Sequence, residues 1–314
     1  MRSGLVHRAA PGCQLPPLLL YFRFSEAPVD ENPIRVEERR PILRVEHLCK
    51  SYEQQLAVDD LSFDLFGGEV LGLVGPNGAG KTTALRSVVG ILPVREGRVL
   101  VCGFDVSLHE AQAKGCLTWV PDDPQPFDAL TVFEHLEFTA ALYQTRDWRS
   151  RAEDLIARFD LADKRNALGG ELSRGMRQKL AFCCAWLPRP RLVLLDEPLS
   201  GLDPRGIRYA KQAIRDLAAE GTAVILSSHL LELIEELASR ILILDHGRKL
   251  FDGTLDEARS TILTEEGSSL EAIFMAATDG SRRASAQPAP EQDPSGESGA
   301  GDWSSRADGR DGEA

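Results

Sequence analysis

Gly75-Pro76-Asn77-Gly78-Ala79-Gly80-Lys81-Thr82, followed by Thr83, decides the fold of this chain. An apolar run at 69–74 leads into it and helical spacing at 82–92 leads out, the strand–loop–helix setting in which such a loop grips phosphate. Its glycines let the backbone curl so that successive N–H groups converge on phosphate oxygens, and the helix adds its positive N-terminal end. Lys81 reaches toward the β- and γ-phosphates of a nucleotide, and the Thr82 hydroxyl is placed to ligate Mg²⁺. ATP and Mg²⁺ are the expected ligands. A glycine-rich turn matching by chance would lack the strand before and the helix after.

Leu192-Val193-Leu194-Leu195-Asp196-Glu197 is the partner this loop requires. It reads as a buried strand ending in two carboxylates. Asp196 is expected to hold Mg²⁺ directly or through water, since a hard cation prefers oxygen ligands. Glu197, one residue on, is placed to orient and activate the attacking water. Without the upstream loop the same stretch would read equally well as a strand running into a solvated acidic turn.

Working outward, alternating strands are expected at 42–48 and 58–65, with further strands at 98–101 and 116–120. From 131 to 187 the character changes to three helical patterns, 131–143, 148–161 and 174–187, with no strand signal between them. Beyond them strand and helix alternate: 192–195, 205–219, 222–226, 230–237 and 241–244. That order predicts parallel strands with crossover helices, hence an α/β core with an antiparallel edge. Residues 1–41 read as a poorly ordered leader. The apolar run at 15–22 contains Pro16 and Pro17, and it lacks the h-region and cleavage site of a signal peptide. The ATPase domain is expected at 42–277. Residues 278–314 are Gly, Ser, Pro and acidic, too poor in apolar surface to offset their ordering entropy, and read as a disordered acidic tail.

Composition narrows the partners. The net charge of −12 and pI near 5.1 disfavour a broad nucleic-acid surface, so no nucleic acid is expected as partner. No run approaches the eighteen apolar residues that a membrane-spanning helix needs. The six cysteines contain no C-x-x-C pair and no zinc spacing, and read as reduced, largely buried thiols.

Leu172-Ser173-Arg174-Gly175-Met176-Arg177-Gln178-Lys179 precedes the acidic strand and opens a helix. With it the chain resembles the ATP-binding cassette (ABC) family over roughly 42–251, its motifs standing in the family order. The resemblance implies a P-loop NTPase (RecA-like) core, an antiparallel β edge sheet and an inserted helical subdomain at about 131–187. It also implies a head-to-tail pair of cassettes, in which Ser173 and the helix start, with small Gly175, meet the γ-phosphate held by the other subunit. Ser200-Gly201-Leu202-Asp203 resembles the D-loop, whose aspartate couples the two sites. His229 matches the switch histidine that contacts the γ-phosphate, and Tyr52 stands where the family stacks an aromatic on adenine. Plainer alternatives are a serine N-cap for Ser173 and a strand-end core residue for Tyr52.

Two places depart from the family pattern. The family puts a glutamine at the strand end before the helical insert, where it touches Mg²⁺. Here Val120-Pro121-Asp122-Asp123-Pro124-Gln125 places Asp122 in that slot and Gln125 three residues later, and Asp122 is the favoured metal contact. The signature carries Arg174 and Met176 where the consensus has glycine and glutamine. Such variants look like cassettes paired with ABC-2-type export permeases. The expectation is therefore the ATPase subunit of a transporter, an exporter. It would pair with a second cassette as homodimer or heterodimer, and dock on an integral-membrane permease on a separate chain. Its place would be cytoplasmic, peripheral on the inner face of the plasma membrane. The rival from another class is a soluble cassette ATPase acting on nucleic acid or the ribosome, disfavoured by the acidic balance. A third, an ATP-binding regulator without turnover, is disfavoured by the intact Glu197 and His229.

Overall fold

The apolar segments that flank the phosphate loop and the acidic pair have both faces covered. In the computed structural model, which describes residues 40–53, 55–262 and 269–285, β3 (Val70–Val74), β7 (Leu192–Asp196) and β8 (Ala223–Ser227) are buried along their whole length. Parallel strands sandwiched between layers must be. With β6 (Leu117–Val120), β9 (Arg240–Asp245) and β10 (Arg248–Gly253) they form a six-stranded sheet of order β10-β9-β3-β8-β7-β6. Every neighbouring pair is parallel except β9–β10. That hairpin turns at His246 and Gly247, both at positive φ (47° and 80°), which matches strand twist in a two-residue loop. Register brings the chemistry together: Ser227 of β8 pairs with Leu73 on one side and with Asp196 on the other. The phosphate loop and the acidic pair thus leave the same end of the sheet, one strand apart.

The two faces of this sheet bury different layers. Leu71, Leu73, Leu192, Leu194, Ile225 and Leu242 face a core shared with α1 (Lys81–Val88) and with a second, antiparallel sheet. That sheet contains β1 (Leu43–Tyr52), β2 (Gln55–Leu65), β4 (Glu96–Val101) and β5 (Phe104–Asp105) in the order β2-β1-β4-β5. The alternate residues, among them Val70, Val193, Leu195, Val224 and Ile243, face the helices on the other side.

Between β6 and β7 lie α3 (Val132–Leu142), α4 (Trp148–Arg158) and α5 (Arg174–Trp186). Thr131 and Glu134 start α3 with a reciprocal capping box. Phe182 stacks on Phe159 at 5.3 Å and meets Trp186 edge-on at 5.1 Å. Burying each such ring contributes about 1.5–3 kcal/mol. The insert is tied to the core where Thr118 Oγ1 donates to Ala185 O at 3.1 Å and Arg158 pairs with Asp216 of α6 (Pro204–Ala219) at 2.5 Å.

Several elements had no counterpart in the sequence reading: β5, β10, α2 (Glu110–Gly115), α8 (Leu255–Ile262) and α9 (Leu270–Ser285). The remaining helix, α7 (Leu231–Leu237), lies close to its expected position. The expected boundary at 277/278 falls inside α9. Leu270 and Ile273 are buried and Phe274 and Ala277 half-buried against the core, an i, i+3, i+4, i+7 stripe that gives the helix a face to bury. The leader expectation for 1–39 and the tail from 286 onward lie outside the described residues. Among the described residues no helix is long and apolar enough to cross a membrane.

Candidate nucleotide site

Between β3 and α1 the loop is held by its own glycines. Gly78 and Gly80 take φ 83° and 100°, and a Cβ on Gly80 would sit 2.3 Å from the Ala57 carbonyl oxygen of β2. Only glycine combines that conformation with that approach. The Lys81 ammonium donates to the carbonyls of Gly75 at 2.6 Å and Pro76 at 3.1 Å, spanning its own loop. Burial lowers its pKa, opposed by the nearby charges of Glu197 and Asp196. Ala79 is buried and Asn77 is exposed at the loop tip. Thr83, one turn in, gives its carbonyl to the Ser87 hydroxyl.

Asp196 ends β7 and is only 5% exposed. Burial raises its pKa, a hydrogen bond from the Thr82 hydroxyl lowers it, and the charges of Glu197 and Asp122 raise it again. A cavity of about 530 Å³ is lined by Thr82, Asp122, Gln125, Asp196 and Glu197. The structure therefore brings the three expected metal residues, Thr82, Asp196 and Asp122, to one space. A buried carboxylate destabilised by two neighbouring anions, beside a hydroxyl, is a set of hard oxygens that suits Mg²⁺.

Glu197 takes φ 48°, a left-handed conformation costing a non-glycine residue about 1–3 kcal/mol, as is common where geometry serves a site. Its own N–H donates to Ser227 O at 2.9 Å. The side chain then turns to the loop after β8. His229 N–H donates to Oε1 at 2.8 Å, Ser228 Oγ donates to Oε2 at 3.1 Å, and His229 Nδ1 lies 2.7 Å from Oε2. The histidine ring is 68% exposed while Glu197 is 21% exposed, so the imidazole stands outward on a carboxylate anchor.

Ser173, Gly175 and Asp203 form a neighbouring cluster whose contacts here are within the chain. Ser173 caps α5 by accepting the Met176 N–H at 3.3 Å. Asp203 caps α6 through the Gly206 N–H at 3.2 Å and pairs with Lys179 at 3.3 Å. A Cβ on Gly175 would stand 2.6 Å from Gly201 O, so the start of α5 and the 200–203 loop touch backbone to backbone. Tyr52 is 46% exposed and pairs with Gln55 at the tip of the β1–β2 hairpin. Ala57 of that hairpin lies against Gly80, which brings the hairpin to the phosphate loop.

Arg174 joins the motifs. Its Nη2 donates to Ser200 Oγ at 2.9 Å and lies 3.4 Å from Asp122 Oδ1, while its stem packs on Gly201. The two departures from the family consensus are thus in contact. An added anion at Asp122 faces an added cation at Arg174, and the local charge is unchanged. Gln125, which lines the same cavity, donates instead to Asp123 at 2.6 Å. Arg86, not among the residues expected at the site, lines the same cavity. It lies four residues after Thr82, hence on the same helical face, and that spacing was the available signal.

The comparisons with known proteins agree with this geometry. The ABC transporter family model matches residues 58–200. The chain is 36% identical over 208 residues to the uncharacterized ABC transporter ATP-binding protein YdbJ of Bacillus subtilis, covering 66% of this chain and 67% of that one. It is 34% identical over 224 residues to the lipopolysaccharide export system ATP-binding protein LptB of Haemophilus influenzae, covering 69% of this chain and 92% of LptB. A solved ATP-binding subunit of an ABC transporter superposes with a TM-score of 0.73 at 30% identity, over 76% of this chain and 99% of that one. The chain belongs to the ATP-binding subunits of ABC transporters, ATPases whose hydrolysis is coupled to transport.

Proposed function

We propose that this subunit drives export, binding ATP with Mg²⁺ between two cassettes and passing their closure to a permease on a separate chain at the inner face of the plasma membrane. The observation that carries the hydrolytic part is the Glu197–His229 pair at the rim of the cavity that holds Thr82, Asp122 and Asp196. A carboxylate has about four lone-pair sites. Ser228 and His229 occupy three of Glu197's, which leaves one to accept a proton from water in line with the γ-phosphate. Lys81 and the loop N–H groups hold charge on the transferred phosphoryl. Thr82, Asp196 and Asp122 would hold Mg²⁺, which supplies further neutralisation of phosphate charge. The His229 ring, anchored through Nδ1, presents its other nitrogen outward to the nucleotide. The two roles of Ser173 are compatible. Its hydroxyl caps α5 in this chain, and the same helix end carries the positive dipole that an opposing γ-phosphate would meet.

Export rests on the relatives and on the paired departures at Asp122 and Arg174. LptB is named for lipopolysaccharide export. Affinity purification of the full chain from its native membranes tests the reading. An integral-membrane permease should co-purify. Recovery with ribosomes or DNA and without a permease would overturn it.

A further inference from the structure

One face of α5 holds the loop at 198–203 that follows Glu197. Arg174, Gly175, Gln178 and Lys179 stand at i, i+1, i+4 and i+5, neighbours on one side of a helix. Arg174 Nη2 donates to Ser200 Oγ at 2.9 Å. Gly175 has no Cβ to keep the Gly201 carbonyl away. Gln178, fully buried, donates from Nε2 to Pro198 O at 3.1 Å. Lys179 Nζ lies 3.3 Å from Oδ1 of Asp203, the N-cap of α6, and 3.9 Å from Oδ2 of Asp160, just past the end of α4. The loop is thus tied at its beginning, middle and end to a helix of the insert, and its last tie is an ion pair.

That pair is an unusual way to join two helices. The Lys179 side chain is 10% exposed, whereas those of Asp203 and Asp160 are 50% and 69% exposed. Its stem runs past the start of α6, where a Cβ on Gly206 would stand 3.2 Å from Lys179 Cε. A lysine packed this way loses hydration and rotamer freedom, and an apolar side chain of similar length would hold α5 on α6 at least as well. Packing needs no charge at this position; fixing a carboxylate does. The Gly206 N–H, at 3.2 Å, acts on the same Asp203 oxygen as the ammonium, so cap and cation together set where that oxygen stands.

We propose that Lys179 is a positioning residue for the paired cassettes: it fixes the Asp203 carboxylate, so that the 198–203 loop moves with α5 and meets the second cassette in one geometry. The inference rests on the two-cassette reading above, which sets Ser173 at the start of α5 against the γ-phosphate held by the other subunit. A loop carried by α5 arrives at that interface together with Ser173, already ordered. Ordering one long side chain on association costs a factor of about 2–10 in affinity, and here a loop as well as a side chain is ordered in advance.

The full-length chain carrying Glu197→Gln, in which the ATP-bound dimer accumulates, tests this through the concentration dependence of that dimer in sedimentation velocity. Adding Lys179→Met should weaken the dimer about tenfold, while the affinity of the dilute chain for a fluorescent ATP analogue is unchanged. The melting temperature of the nucleotide-free chain should hold or rise, because a packed cation is replaced by an apolar side chain and Asp203 stays solvated. Lys179→Arg returns the cation and should keep most of the dimer. Asp203→Asn retains a capping side chain and removes the charge, so it should weaken the dimer, and Lys179→Met added to it should cost little more. That cycle is decisive even if Lys179→Met lowers the melting temperature. A dimer unchanged by Lys179→Met, or full additivity of the two substitutions, would overturn the proposal and leave the two-cassette reading standing. Failure of the Glu197→Gln chain to dimerise with ATP would remove that reading, and this inference with it.

Discussion

Replacing Glu197 with glutamine keeps the shape of the side chain and removes its charge. In the native site both carboxylate oxygens face donors: His229 N–H at 2.8 Å, Ser228 Oγ at 3.1 Å and His229 Nδ1 at 2.7 Å. A glutamine has one acceptor oxygen, and its NH₂ must then confront a donor. Hydrogen bonds to a charged group are worth about 1.5–3 kcal/mol, so loss of one should loosen the His229 loop by that order. The larger effect falls on the chemical step. Removing a positioned general base costs about 10²–10⁴-fold, which corresponds to about 3–5 kcal/mol in the barrier. ATP affinity should hold, because Lys81 and the loop glycines are untouched. Phosphate release and light scattering with and without ATP provide the assay. Turnover should collapse while an ATP-bound dimer accumulates. Since Glu197 and His229 are directly bonded, His229→Ala added to Glu197→Gln should cost much less than its effect alone. Unchanged steady-state hydrolysis in Glu197→Gln would remove this residue from the mechanism.

Lys81→Ala should abolish ATP binding measured by fluorescent-nucleotide titration, since it deletes the ammonium that spans the loop; retained affinity would refute the phosphate-gripping role. Asp196→Asn should eliminate Mg²⁺-dependent turnover yet raise the melting temperature of the nucleotide-free chain at neutral pH. Burial raises the native pKa of Asp196 above its unfolded value, so the folded chain binds that proton more tightly, and the charge costs stability once pH rises through the raised pKa. The stabilisation by Asn should therefore shrink as pH is lowered into the carboxyl range, and a gain that grows there would contradict it. Asp122→Gln should preserve or improve Mg²⁺-dependent turnover and Gln125→Ala should do little; the reverse pattern would put the metal contact at Gln125. Arg174→Gly alone strands Asp122 beside Asp196 and should weaken coupling more than the double change Asp122→Gln with Arg174→Gly, a non-additivity readable in the Mg²⁺ dependence of hydrolysis.

What the chain states locally, it states plainly. The phosphate loop and the acidic pair are contiguous, and each adjoins a short apolar strand buried on both faces, so residue order alone carried the P-loop core, the antiparallel edge and the helical insert. Elements with weaker local patterns escaped: β5 has two residues, β10 carries a charged and polar face, and α9 hides its apolar stripe ahead of a polar tail. Pairings between distant residues were invisible for a different reason. Periodicity reports which face a side chain occupies, not which residue it meets. Arg174 reaches Asp122 across 52 positions, and Asp122 and Gln125 enter the same cavity but turn to different partners. Cys102 and Cys116 line one cavity only because the edge sheet folds onto the start of β6. Sequence by itself picked out the glycine-rich loop between a strand and a helix and the acidic strand end, because each is a contiguous local pattern. Tertiary structure decided that Glu197 is anchored to His229, that Arg174 answers Asp122, and that two thiols share a cavity, because each of those contacts exists only once separate strands and helices are packed.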